Sequence, residues 1–148
     1  MNVQGSIKAI VSKPGEGQPL PVVGRVRVSS AQTGGAFEVI ELGTPPGGGG
    51  PPPHIHHDHE EYFYIIQGTF TFLIGEQKLE APAGSVAWVP RGMRHAFQAT
   101  DGARALGFIM PAGLEGFFRE LGAGLMAGRP DGELRAELAR KYDSDPVE

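Results

Sequence analysis

The sequence predicts an all-β domain, a sandwich or closed barrel, followed by two C-terminal helices. Three observations carry this. Short β-type runs with turn signals between them recur from Ile7 to Phe108. The 23 glycines and 13 prolines fall between those runs without a repeat period, as turn punctuation does. Beyond Pro111 the apolar spacing changes to that of a helix.

In chain order the expected strands are Ile7 to Val11, Val22 to Val28, Phe37 to Leu42, Glu61 to Ile66, Thr69 to Ile74, Gln77 to Glu80, Val86 to Val89, Arg94 to Ala99 and Ala103 to Phe108. Gly75-Glu76 and Asp101-Gly102 read as tight hairpins, which favour antiparallel pairing. The segment Gly43 to Pro53, GTPPGGGGPPP, reads as a rigid approach loop. Leu114, Phe117, Phe118, Leu121 and Leu125 define a first helix. Leu134, Leu138 and Tyr142 define a second, with Asp131 as its N-cap. Both helices are expected to pack outside the barrel, with Phe117-Phe118 in core or subunit contact. The 148 residues suit one domain, with the barrel at about 7–109 and the helices at about 112–143.

The bulk composition excludes several functions. A net charge of -4 with scattered basic residues gives no stripe for a phosphate backbone, so nucleic acid is not an expected partner. No apolar run is long enough to cross a bilayer, and no leader pattern follows Met1, so a cytoplasmic protein without membrane contact is expected. With 0 cysteines, disulfides, thiolate zinc sites and cysteine nucleophiles are excluded together, and any metal must be held through nitrogen and oxygen.

Four of the five histidines, His54, His56, His57 and His59, lie within six residues, and the fifth is His95. Residues two apart on a strand share a face, so His54 and His56 can aim two imidazoles at one point. Glu61 has the opposite parity, and the chain must turn or bulge between His57 and Glu60 for it to join them. His57 and His59 read as parts of that solvated turn. For His54, His56, Glu61 and His95 two readings stand at this point: donors to a borderline metal, or an incidental histidine-rich loop. The placement of the cluster between two structured runs argues against the second.

The spacing resembles both signature motifs of the cupin superfamily. Gly48, five residues, His54-x-His56, four residues, Glu61, six residues and Gly68 match the first; Gly84, five residues, Pro90-x-Gly92, two residues and His95 match the second. Fifteen residues separate Gly68 from Gly84, as in small bacterial cupins. Ala99 stands where the second motif usually ends in Asn, a position that is not normally a ligand. Thr33 to Phe37 and Pro111 to Leu121 also look like the quercetin dioxygenase-like group of single-domain cupins.

The resemblance implies a cupin barrel, a double-stranded β-helix or jelly roll. It also implies one divalent transition metal ion, Fe, Mn, Ni, Co, Cu or Zn, held by His54, His56, Glu61 and His95. Three imidazoles and one carboxylate leave open positions for substrate, water or O₂. The activity implied is that of a metal-dependent dioxygenase on a small enolic or aromatic substrate, with Glu61 as both ligand and catalytic proton acceptor. A non-oxidative isomerase or lyase, and a non-catalytic binding module, are the alternatives. Homodimerisation is expected from the family. Phe63 shares a strand face with Glu61, and Phe97 with His95; together with Phe72 they are the expected substrate pocket. For Phe70 and Phe72 taken singly, core packing is the simpler explanation. Arg91 and Arg94 read as solvated turn residues beside the barrel mouth.

Overall fold

A computed structural model describes residues 7–44 and 46–147. The start of the chain, and Pro45 within the approach loop, lie outside them. Among the described residues eleven strands and three helices follow one another: β1 Gln18–Leu20, β2 Gly24–Val28, α1 Ser30–Thr33, β3 Glu38–Gly43, β4 His54–Ile55, β5 Glu60–Gln67, β6 Thr69–Ile74, β7 Gln77–Pro82, β8 Val86–Val89, β9 His95–Ala99, β10 Arg104–Met110, α2 Glu115–Met126, α3 Asp131–Leu138 and β11 Asp145–Pro146. They form two antiparallel sheets, β1-β2-β3-β10-β5-β8 and β11-β4-β9-β6-β7. This is the expected all-β jelly-roll class with two C-terminal helices.

Period-two alternation builds the barrel core. Phe63 and Ile65 of β5 and Ala105 of β10 point inward from one sheet, and Phe70, Phe72 and Ile74 of β6 meet them from the other. The chain changes sheet twice at one corner. Gly68 joins β5 to β6 at φ 75°, where an added Cβ would lie 2.8 Å from the Cβ of Ala103, so only glycine fits. Gly75-Glu76 forms the expected hairpin, with Ile74 opposite Gln77.

Four expectations need correction. Asp101-Gly102 is a turn but not a hairpin: β9 and β10 on either side of it belong to different sheets, so the turn carries the chain between them. Ile7 to Val11 forms no strand. The edge place beside β2 is taken by β1, and the N-terminal segment is tied to β2 by the Arg27 side chain, which donates to Ser12 Oγ at 2.8 Å and to the Ser12 carbonyl at 2.7 Å. Val22 and Val23 stand outside β2, in the turn after β1. Asp131 is the first residue of α3 rather than its N-cap, a place held by Pro130, and its carboxylate accepts from Arg135 one turn on.

Two more corrections concern the helices: α3 ends at Leu138, so Tyr142 stands beyond it, and the helices do not lie outside the barrel. The β1-β2-β3 side of the larger sheet extends past the smaller one, and its inward residues Val26 and Ile40, with Ile109 of β10, pack against Leu114, Phe117 and Leu121 of α2 and Leu134 and Leu138 of α3. Glu38 fixes the start of α2. Its Oε1 accepts from the backbone N–H of Gly113 at 3.2 Å and of Leu114 at 2.7 Å, replacing the cap that Leu114 cannot make. Among the described residues no helix is long and apolar enough to cross a membrane.

Candidate metal centre

Three separate pieces of chain bring the imidazoles together. The glycine-rich loop is zipped to β9: Gly49 and Ala99 exchange backbone hydrogen bonds of 3.0 and 2.8 Å. A Cβ on Gly50 would stand 1.9 Å from the Phe97 carbonyl, so the close approach requires glycine. The loop thus sets His54 opposite His95 in the β4-β9 register. Ala99, at the position usually held by Asn, is buried in the core and makes both bridge bonds through its backbone, which any residue can provide. After Ile55 the ladder stops, residues 56–59 bend, and β5 starts at Glu60, which turns Glu61 inward as the parity argument required. The Gly92 N–H donates to the His56 carbonyl at 2.8 Å and closes the bend against the turn before His95.

The ring centroids of His54 and His95 are 4.2 Å apart, those of His54 and His56 4.8 Å, and those of His56 and His95 5.1 Å. One nitrogen from each lies within 4.8 Å of the others. Backbone carbonyls fix the tautomers. Nδ1 of His54 donates to Pro52 at 2.8 Å, that of His95 to Met93 at 2.9 Å and that of His56 to Asp143 at 2.6 Å. Each ring therefore turns Nε2 toward the common centre, the arrangement in which imidazole ligates metal. His95 Nε2 is buried with no hydrogen-bond partner among the described residues. A buried acceptor left in that state is costly, and a cation at the centre would satisfy it.

Glu61 is joined to this triad through His56, whose Nε2 lies 2.6 Å from its Oε1. Burial alone would raise the Glu61 carboxyl, but the His56 charge and hydrogen bond outweigh it and hold the pKa down to about 2. Burial likewise works against a charged His56, yet the Glu61 carboxylate raises it above the ordinary histidine value. Both nitrogens of His56 face acceptors, the Asp143 carbonyl and Glu61 Oε1. His54 behaves oppositely: burial first, then the neighbouring His95 and His56 charges, push it down to about 3. Burial also lowers His95. The set is two neutral imidazoles beside a pair that shares one proton.

The four ligand residues expected from sequence are thus brought together. His57 is on the exposed turn and pairs with Asp145 at 3.2 Å. His59 is more than a solvated residue, because its Nδ1 donates to the Asp143 carboxylate at 2.6 Å. Arg91 stands 3.6 Å from Glu60 on the surface. Of the expected pocket residues, Phe97 lines a cavity that opens on His54, His56 and Glu61, whereas Phe63 and Phe72 stand in the core behind it. Phe70 lines the cavity too. Its far wall is Phe117, Phe118, Leu121 and Leu125 of α2 with Val22 and Val23, and Arg135 of α3 also reaches it.

Sequence reasoning missed this wall and Asp143. The one available signal was the Phe117-Phe118 pair, of which Phe117 is buried in the core and Phe118 half-buried against it. Nothing local to Asp143 announced a role beside a histidine 87 residues earlier.

The cupin domain family model matches residues 41–110, which contain every residue of the triad and Glu61. Similar solved structures include a predicted oxalate decarboxylase of Thermotoga maritima, 22% identical, covering 70% of this chain and 100% of that one at a TM-score of 0.55. KdgF of a Halomonas species is 17% identical over 60% of this chain and 76% of its own, with a TM-score of 0.53. The polyketide cyclase RemF of Streptomyces resistomycificus is 20% identical over 71% and 79%, with a TM-score of 0.52. No curated protein matches the chain. Fold, motif residues and family match agree: residues 41–110 are a cupin domain.

Proposed function

We propose that this cupin is a mononuclear metal-dependent dioxygenase for a small enolic or aromatic substrate, with His54, His56, His95 and Glu61 as ligands and Glu61 as the proton acceptor. The observation that carries the reading is the buried His95 Nε2, without a hydrogen-bond partner among the described residues, which converges with His54 and His56, two imidazoles that line an apolar cavity. When bound, a divalent transition ion would supply Lewis acidity and, if redox-active, a path for electrons between substrate and O₂.

The residues of the chain do the rest. Loading requires the proton held between His56 and Glu61 to leave, because only a bare Nε2 can ligate. Glu61, which lines the cavity, is then released from the His56 proton and accepts the hydroxyl proton of an enol or phenol positioned beside it. Phe70, Phe97 and the apolar side of α2 exclude water around that transfer and strengthen it.

O₂ consumption by the Fe(II)-, Mn(II)-, Ni(II)- or Co(II)-loaded protein, with enolic and catecholic compounds under air and under nitrogen, is the test. Substrate loss that requires O₂ supports the dioxygenase, and no O₂ uptake with any of them overturns it. A non-oxidative isomerase or lyase is the second reading, favoured by the Glu61 carboxylate at the cavity, which can take a proton from the substrate and return it to carbon without O₂. Turnover by the Zn(II) form under nitrogen would select it.

A further inference from the structure

The cavity beside the triad measures about 180 Å³, close to the roughly 150 Å³ of an engineered apolar cavity that binds benzene. It is open on one side, and one ring or one short branched chain fits against its apolar lining. Its sides are apolar, Phe70 and Phe97 on the barrel side and Phe118 and Leu125 on the α2 side. Past the metal-ligating group, one cation reaches it.

That cation is Arg135, whose side chain is only 15% exposed. Its Nε donates to the two Asp131 carboxylate oxygens at 2.9 and 3.0 Å. Among the described residues its two Nη groups make no hydrogen bond, so four donors of a half-sunken guanidinium remain available at the rim of an apolar chamber. An Arg needed only for the α3 ion pair would gain little from such a place, because an i,i+4 pair works equally well in solvent. A planar fork of N–H donors is matched by a carboxylate.

We infer that the ligand of this site is a small two-ended molecule: chelating oxygens on the triad side, a single ring or branched aliphatic body between Phe97 and α2, and a carboxylate received by Arg135. The inference rests on the metal reading above and adds to it an apolar body and a charged end. It excludes neutral and cationic analogues as good ligands.

Calorimetric titration of the Zn(II)-loaded protein, after elemental analysis has established its zinc content, tests this with 3,4-dihydroxyphenylacetate, 4-methylcatechol and dopamine. All three share the chelating catechol and the ring and differ in the charge of the far end. The carboxylate should bind about tenfold tighter than 4-methylcatechol, and dopamine more weakly than either. Arg135→Gln should abolish that preference while leaving 4-methylcatechol within about twofold of wild type, and Arg135→Lys should restore part of it. Leu125→Trp, which fills the chamber from a half-buried position, should weaken all three.

Retained preference in Arg135→Gln, equal binding of the three probes by wild type, or unchanged binding by Leu125→Trp each overturns the assignment while the metal reading stands. Failure to hold zinc overturns both. Thermal melts of the variants separate a lost preference from a lost fold.

Discussion

His56 donates its Nδ1 proton to the main-chain carbonyl of Asp143, 2.6 Å away, so a triad histidine in the first half of the chain is oriented by a residue near its C-terminal end. The Asp143 side chain is bonded as firmly as its carbonyl. Its carboxylate accepts from the backbone N–H groups of His57 and Asp58, both at 2.7 Å, and from His59. Beyond it, β11 pairs with β4, the strand that carries His54. The last residues therefore clamp the bend that turns Glu61 inward.

Replacing Asp143 by Ala leaves the carbonyl but frees the bend from three of its bonds. Residues that orient a metal ligand typically contribute about 10- to 100-fold in affinity, and a loss in that range is expected here. Competition against a chromogenic chelator measures it. Asp143→Asn keeps the side-chain acceptor oxygen and should recover part of the loss.

Metal should stabilise the fold as well as activate the site, because it binds the assembled triad and not the unfolded chain. At a free concentration of 100 times Kd the gain is about 2.7 kcal/mol, or roughly 5–10 °C in Tm for a chain of this size. The expected scan shows that rise for wild type on adding Zn(II) and no rise for His95→Ala, whose missing Nε2 is buried without a hydrogen-bond partner among the described residues. His56→Ala should also lose the rise, and both variants should carry less metal after purification.

The barrel and the triad were legible because they are written locally. Strand alternation places Phe63, Ile65, Phe70 and Phe72 in one core. His54 and His95 sit in motif positions whose glycines and proline have simple backbone reasons. The opposing parity of Glu61 even required the bend at 56–59. What escaped was non-local. That α2 would wall the cavity depends on how far the larger sheet extends past the smaller, and a helical repeat gives its apolar face without naming what that face meets. Ile7 to Val11 had the composition of a strand, but β1 took the place beside β2. Asp143 became part of the site only through tertiary closure.

Glu38 gives the fold a pH dependence of its own. It is fully buried in β3, and burial, reinforced by the nearby Glu115 charge, raises its carboxyl above the ordinary glutamate value despite the two backbone donors. A raised folded pKa favours the folded state while the group is protonated, and that contribution is lost as pH rises through the raised value. Oε2, which has no partner among the described residues, is the atom left charged and unsolvated above it. Glu38→Gln keeps Oε1 as acceptor for Gly113 and Leu114 and cannot ionise. In urea unfolding across a pH series from the ordinary glutamate range upward, wild type should lose stability where the variant stays level, and the variant should be the more stable near neutrality.

Val22 stores backbone strain at the cavity wall. Its φ of 68° lies in the left-handed region, and it is the one non-glycine residue there among those described. A β-branched side chain is especially disfavoured in that region. The strain costs on the order of 1–3 kcal/mol and is sustained by the Pro21-Val22-Val23 turn packing under α2, where a Cβ on Gly122 would collide with the Pro21 carbonyl at 1.8 Å. Val22 is 52% exposed, so its side chain returns little burial energy for that strain. Glycine at this position relieves the strain at an entropic cost of roughly 0.5–1 kcal/mol. Val22→Gly should therefore raise stability by about 1 kcal/mol, seen as a higher urea midpoint with an unchanged slope. It also removes an apolar group from the cavity wall, so ligands that fill the chamber should bind more weakly to a protein that is harder to unfold.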